Sequence, residues 1–198
     1  MDKRIIPHPR LQKEQCEIYL KPMEKWHISH LIKLAREPGL SGLLGWSPHF
    51  EPDETEEFIQ AISLFAFPYS LSGEPLAFGI YHFTDTLPIG YAVLKGINWE
   101  IGTTEIGISI LDGMHRNKGY GTMATRQLID YTFHALNFQL IGAAVLVSNV
   151  ASVNLFRKLG FIIKTTMYGS WIMPDGNVED MLRMELTTQI WSGKQHQC

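Results

Sequence analysis

His115-Arg116-Asn117-Lys118-Gly119-Tyr120-Gly121-Thr122 decides how this chain reads. A strand-like run ends just before it and a long helix-like segment starts within it, so it is the turn by which a strand enters a helix. A helix N-terminus leaves its first N–H groups without intrahelical partners and carries about half a positive charge. Gly119 and Gly121 let the backbone approach an anion closely, while Arg116 and Lys118 add formal charge. One physical reading is a cradle for a phosphate or pyrophosphate. The other is a tight turn with two solvated basic side chains, and the turn alone does not choose between them.

Outward from the turn, the elements follow from periodicity. Upstream, Glu105–Leu111 alternates, with Ile106, Ile108 and Ile110 on one face and Glu105, Gly107 and Ser109 on the other. Downstream, a helix is predicted from Gly119 to Leu136, with Ala124, Leu128, Tyr131 and Ala135 on one seam and Ile129, Phe133 and Leu136 on a second. Leu140–Val147 is apolar without alternation, as in a strand covered on both faces. Asn149 caps a helix that runs to Leu159, and Gly160 supplies its left-handed end. Strands are expected at Phe161–Gly169 and Met181–Leu186, around a turn at Pro174-Asp175-Gly176-Asn177. Nearer the start come a strand at Glu17–Leu20, a helix at Trp26–Arg36 and a loop from Leu40 to Pro52. A second helix follows from Asp53 to about Phe67, and then two strands, Leu76–Phe83 and Ile89–Leu94. The order is mixed α/β with one parallel crossover, in a single domain.

Composition narrows the function. The chain has 198 residues, of which 45% are hydrophobic and 19% charged, enough apolar content for a packed core. Seventeen Lys and Arg against twenty Asp and Glu give a net charge of −3, which argues against a nucleic-acid partner. Cys16 and Cys198 are too few and too far apart for a disulfide framework, so a cytoplasmic setting is expected. No apolar run approaches the ~20 residues of a membrane helix, and Met1–Arg10 lacks the apolar stretch of a signal peptide, so no membrane association is expected. No metal is expected either: His27 and His30 lie three apart on a helix with no third ligand evident and read as surface residues.

Two nucleotide readings of the turn compete. Gly119-Tyr120-Gly121-Thr122-Met123-Ala124 formally fits the G-x-G-x-x-G/A dinucleotide fingerprint. That fingerprint wants an acid about 20 residues on, and no Asp or Glu occurs between Asp130 and Asp175. The phosphate-loop pattern of nucleotide triphosphatases also fails, because Lys118 precedes Gly119 and no Gly-Lys-Ser/Thr is present.

Arg116-x-x-Gly119-x-Gly121 resembles instead the acetyl-CoA loop of the GNAT N-acetyltransferase superfamily. Glu105-Ile106-Gly107-Ile108 resembles the strand before that loop. Asn149-x-x-Ser152-x-x-x-Phe156-x-Lys158-x-Gly160-Phe161 resembles the helix and strand beyond it. The Asn-x-x-Ser form and the Glu-Ile-Gly strand are most similar to the ribosomal-protein alanine N-acetyltransferase-like branch. The resemblance implies a mostly antiparallel sheet with a splayed parallel pair, Glu105–Leu111 against Leu140–Val147, and helices on both faces. It also implies direct acetyl transfer from acetyl-CoA to a primary amine, of a protein N-terminus or a small molecule, in a monomer or homodimer. Open alternatives are an acetyl-CoA-binding module without catalysis and a dinucleotide-binding protein.

The residues implied by the resemblance fall into two groups. For the cofactor these are the backbone of Ile108, Ser109 and Ile110, the N–H groups from Arg116 through Asn117, Lys118, Gly119, Tyr120 and Gly121, and Thr122, Asn149 and Phe156. For catalysis, an amine with a pKa near 10 must first lose a proton. Glu105 is the candidate base, acting through water, against the plainer role of a strand-pairing carboxylate. Many relatives carry Tyr where Phe156 stands, and Phe cannot return a proton to the leaving thiolate. Ser152 or Asn149 could, with Tyr168 a remoter option, although capping the helix start explains the first two as well. The acceptor would be chosen by the front helices, the 39–52 loop, where Trp46, His49 and Phe50 could shape a pocket, and the hairpin from Met167 to Val178. The acids Asp53, Glu54, Glu56 and Glu57 could attract a cationic amine, but first-turn carboxylates that favour the helix dipole explain them better. Trp99 and Trp171 could line the cleft or simply pack.

Overall fold

A computed structural model describes residues 17–22, 25–37, 40, 76–173 and 175–195. The expected 53–67 helix, most of the 39–52 loop and both cysteines lie outside the described residues.

The described chain runs β1 (Ile18–Pro22), α1 (Lys25–Ala35), β2 (Leu76–His82), β3 (Pro88–Asn98), β4 (Thr103–Ile110) and a 3₁₀ turn (Gly113–His115). It continues with α2 (Tyr120–Asp130), β5 (Leu140–Leu146), α3 (Val150–Leu159), β6 (Ile162–Ile172), β7 (Val178–Thr187) and α4 (Thr188–Gln195). The seven strands form one sheet in the order β1-β2-β3-β4-β5-β7-β6, antiparallel at every joint except β4–β5. The expected mixed sheet with one parallel pair is therefore present.

Two apolar clusters sandwich the sheet. On one face Ile106, Ala92 and Leu94 pack with Ala124, Leu128 and Ile129 of α2 and with Val153 and Phe156 of α3. On the other, Tyr91, Val93 and Leu111 meet Ile28, Leu31, Ile32 and Ala35 of α1. The isoleucines of β4 thus face α2 and α3, while Glu105, Gly107 and Ser109 share a face with their cross-strand partners Lys95, Val93 and Tyr91.

Several features depart from the sequence reading. β3 continues past Leu94 because Lys95, a residue that reads as a strand end, is buried against Glu105. The long helix ends as α at Asp130 and closes in a π turn over Tyr131–Ala135, which carries Ala135 out to solvent instead of along its seam. α4 was not expected; Trp191 anchors it, donating from Nε1 to Asp130 Oδ1 at 2.8 Å inside the core. His27 is buried and not a surface residue, its Nδ1 lying 2.9 Å from the Tyr81 hydroxyl.

Candidate active site

β4 and β5 pair over only three positions, Thr103 with Leu140, Thr104 with Ile141 and Glu105 with Gly142. Beyond them the strands part, β4 running on to Ile110 and β5 to Leu146. A cleft of about 450 Å³ lies beside this fork, with walls from the end of β4, the turn before α2 and one face of α3.

Asp112 builds the turn. Its Oδ1 accepts from the Met114 N–H at 2.9 Å and caps the 3₁₀ turn, and its Oδ2 lies 2.8 Å from His115 Nδ1. Burial alone would raise its pKa. The His115 hydrogen bond, the Met114 N–H and the nearby His115 and His30 charges outweigh that and hold the carboxyl below its ordinary value. Asn117 (φ 62°) and Gly119 (φ 86°) then turn the chain through left-handed backbone into α2. Gly119 is the N-cap and has no side chain to offer the helix; the first helical bond runs from Met123 N–H to Gly119 O at 3.1 Å. The N–H groups of Tyr120, Gly121 and Thr122 are therefore left for a partner in the cleft, which all three line. A Cβ on Gly121 would sit 3.4 Å from Leu155 Cδ1 and 3.8 Å from Ile110 Cγ1, so a larger residue there would project between α2, α3 and the end of β4.

Ile108, Ser109, Ile110, Arg116, Asn117, Gly119, Tyr120, Gly121, Thr122, Asn149 and Ser152 come together around this one cleft. Three expectations need correction. The Arg116 N–H is not available to an anion, since it donates to Gly113 O at 3.3 Å. Its guanidinium is a strut: Nε donates to Ile110 O at 3.1 Å, and Nη2 donates to Leu111 O and Glu37 Oε2, each at 2.6 Å. Glu37 thereby offsets much of the charge expected for the cleft. Phe156 does not line the cleft; it is buried on the core face of α3, edge-on to Phe161 with ring centres 4.9 Å apart. Lys118 is exposed and also outside the lining.

The sequence reading missed Lys158, Leu155, Asn154 and Ala151 as lining residues, together with His115 and Leu40. Helical spacing carried the signal for the first group. Ala151, Leu155 and Lys158 fall at i, i+4 and i+7 from each other, the face opposite Val153 and Phe156. Lys158 thus stands on the α3 wall of the cleft. Asn149 caps α3 through its Oδ1, which accepts from the Ser152 N–H at 3.1 Å, and both residues line the cleft.

Glu105 occupies the last paired position of the fork. Its Oε1 lies 2.9 Å from Lys95 Nζ, and neither side chain is more than 7% exposed. Burial is the main influence on Lys95 and lowers its pKa, against the Glu105 charge and hydrogen bond. Val93 fills the space over Gly107, its Cγ1 2.9 Å from where a Cβ would stand, so Glu105 is separated from the Ser109 part of the cleft. Tyr168 and Trp99 are exposed and, like Trp171, do not line the cleft.

A turn of this kind, an uncapped helix start and a lysine on the opposite wall suit a diphosphate-bearing ligand threaded along a parting strand. The family model for the acetyltransferase (GNAT) domain matches residues 17–162. The chain is 30% identical over 174 residues to "Uncharacterized N-acetyltransferase p20" of Bacillus licheniformis, covering 88% of this chain and 94% of that one. It is 36% identical over 89 residues to "Probable N-acetyltransferase YjcK" of Bacillus subtilis (strain 168), covering 44% and 49% of the two. The fold is similar to spermidine N-acetyltransferase from Vibrio cholerae, solved with CoA and spermine, with a TM-score of 0.74, 22% identity and coverage of 89% of this chain and 98% of that one. A dodecameric form of that enzyme matches at 0.68 and 20%, covering 90% and 98%.

The chain belongs to the GNAT acetyltransferase family. It is an acetyl-CoA-dependent N-acetyltransferase, and the cleft described here fits that co-substrate: three unspent N–H groups on a helix start, a glycine where a larger side chain would intrude, and Lys158 across from them. Among the described residues no helix is long and apolar enough to cross a membrane.

Proposed function

We propose that this acetyltransferase acts on the primary amine of a small molecule of polyamine type. The observation that carries the site reading is the fork itself, which opens from Glu105 onward beside a cleft bearing the unspent N–H groups of Tyr120, Gly121 and Thr122. The choice of a small amine is supported by the similar folds, which are those of spermidine acetyltransferases. Acetyl-CoA supplies the acetyl group as a thioester: the amine nitrogen bonds to the carbonyl carbon, the C–S bond breaks, CoA leaves as the thiol, and the amine gives up its protons.

The chain's own residues divide the remaining work. The α2 N-terminus and Lys158 hold the phosphates, and the side of Ile108–Ile110 that faces away from β3, past the end of its pairing with β5, orients the arm that follows. Glu105, held 2.9 Å from Lys95 at the closed end of the fork, takes the amine's proton through water. Ser152 or Asn149, at the start of α3, donates a hydrogen bond to the departing sulfur, which takes its proton from water, a light demand because a thiol with a pKa of about 8.5 is already a fair leaving group.

A second reading, acetylation of a protein N-terminus, is favoured by Asn149-x-x-Ser152 and Glu105-Ile106-Gly107, which resemble the ribosomal-protein alanine branch. Thiol release with acetyl-CoA and either spermidine, spermine or an alanine-starting peptide separates the two. Turnover with the polyamines alone supports the proposal, and turnover with the peptide alone overturns it.

A further inference from the structure

The rim of the cleft carries a group of side chains that acetyl transfer does not use. β3 and β4 pair up to Gly90 and Ile110, and the N–H groups of Leu111 and Asp112 both reach Ile89 O. That register brings the end of β2 and the turn after it against the segment that follows β4. As a result His82, Asp85 and His115, 33 residues apart at the extremes, place one ligand atom each within 4.8 Å of the other two.

Their hydrogen bonds favour a metal. His115 Nδ1 faces Asp112 Oδ2 at 2.8 Å, so its proton belongs on Nδ1 and Nε2 keeps the lone pair. That Nε2 lies 3.4 Å from Asp85 Oδ2, close to the ~3.4 Å edge of a tetrahedron with bonds of 2.0–2.1 Å. On the other histidine, Thr84 Oγ1 donates to Asp85 Oδ1 at 3.0 Å, and so can only accept at 2.8 Å from His82 Nδ1. That pattern places the His82 proton on Nδ1, which lies 4.0 Å from Asp85 Oδ1, and leaves Nε2 as the ring's other nitrogen. The Thr84 N–H contact to the same Nδ1, at 3.4 Å, is the longer of the two. An imidazole fixed at one nitrogen by an oxygen acceptor, with the other nitrogen free to bind, is how proteins orient histidine ligands. All three side chains are partly exposed, which leaves an entry path.

We propose that His82, Asp85 and His115 bind a divalent transition-metal ion of the zinc type, with Asp112 and Thr84 orienting the two imidazoles and water completing the shell. Two imidazoles and a carboxylate suit zinc and its neighbours over magnesium or calcium, which prefer oxygen ligands. The ion clips the turn after β2 to the segment leading into α2, and so stiffens the wall of the cleft that His115 and Tyr120 share.

The test uses the full chain without an affinity tag, stripped with chelator, and then given zinc, magnesium or calcium. Calorimetry is expected to show one zinc per chain, and thermal unfolding a midpoint raised by several degrees with zinc alone. His82→Ala and Asp85→Asn, both rim residues, should weaken zinc at least tenfold without lowering the metal-free midpoint, and Asp112→Asn should weaken it about 10- to 100-fold. No binding of zinc overturns the proposal. So does zinc binding that persists unchanged in His82→Ala and Asp85→Asn, because the ion then sits elsewhere.

Discussion

Lys95 Nζ and Glu105 Oε1 form a buried ion pair 2.9 Å apart, at the one place where the two halves of the sheet are still joined. Removing one partner of such a pair is costly because the other charge is left in the interior. Lys95→Met should lose about 3–5 kcal/mol in chemical denaturation. Glu105→Gln should lose less, since Lys95 is already pushed towards its neutral form by burial. As the proposed proton acceptor, Glu105→Gln should also lower kcat by roughly 10²–10⁴ while the affinity for acetyl-CoA stays near wild type. Unchanged thiol release in that variant would leave the carboxylate a structural role only.

Gly119 and Gly121 should fail differently. Nothing lies within 4 Å of a Cβ on Gly119, so Gly119→Ala suffers only from its left-handed backbone, a cost of about 1–2 kcal/mol visible in the unfolding midpoint. Gly121→Leu should fold, because its φ is ordinary, but should lose acetyl-CoA binding by filling the cleft between Leu155 and Ile110. Isothermal titration beside thermal unfolding distinguishes the two outcomes.

Arg116 is expected to behave as a strut. Arg116→Lys cannot reach two carbonyls and a carboxylate at once, so it should destabilise nearly as much as Arg116→Met, by about 1–3 kcal/mol. The salt dependence of acetyl-CoA binding should change little in either variant, whereas Lys158→Met should flatten it. A flattened slope in Arg116→Met would show that the guanidinium meets phosphate after all.

Asp112 links the turn to acid stability. Its folded pKa lies below the unfolded value of about 3.9, so it stabilises the fold fully above roughly pH 5 and loses that contribution as pH falls through the folded value. Asp112→Asn lacks this contribution and should be less stable than wild type at neutral pH, with the gap narrowing below pH 4. Urea denaturation across pH 3 to 7 measures it.

Trp191→Phe removes the indole N–H that meets Asp130. The loss should be about 1–3 kcal/mol, since a buried carboxylate oxygen gives up its donor, and hydrogen exchange should quicken in α4 before any other helix.

What could be read from the sequence is what local geometry decides. Asn149 and Gly160 bound α3 because a cap and a left-handed residue act within one helical turn. The turn at Gly119–Thr122 followed from glycine spacing and the strand before it from alternation, while the role of Ile108–Ile110 came from the family resemblance. What could not be read depends on distant partners. Arg116 spends its charge on Glu37, 79 positions away, and His27 is buried because Tyr81, 54 positions away, meets its ring. Lys95 is a strand residue only because Glu105 stands opposite. Phe156 matched its motif in position, but its neighbours on α3 show which side it takes: Val153 and Phe156 turn to the core, Leu155 and Lys158 to the cleft.

The short β4–β5 seam has a mechanical consequence. Three residue pairs join a four-stranded leaf to a three-stranded one, while every other joint in the sheet is antiparallel and runs over five pairs or more. The sheet is therefore two stiff leaves on a narrow spine, and its softest motion is a change in the angle between them. A ligand seated beside the parting strands acts at the open end of that lever, far from the spine, where a small force turns the leaves most.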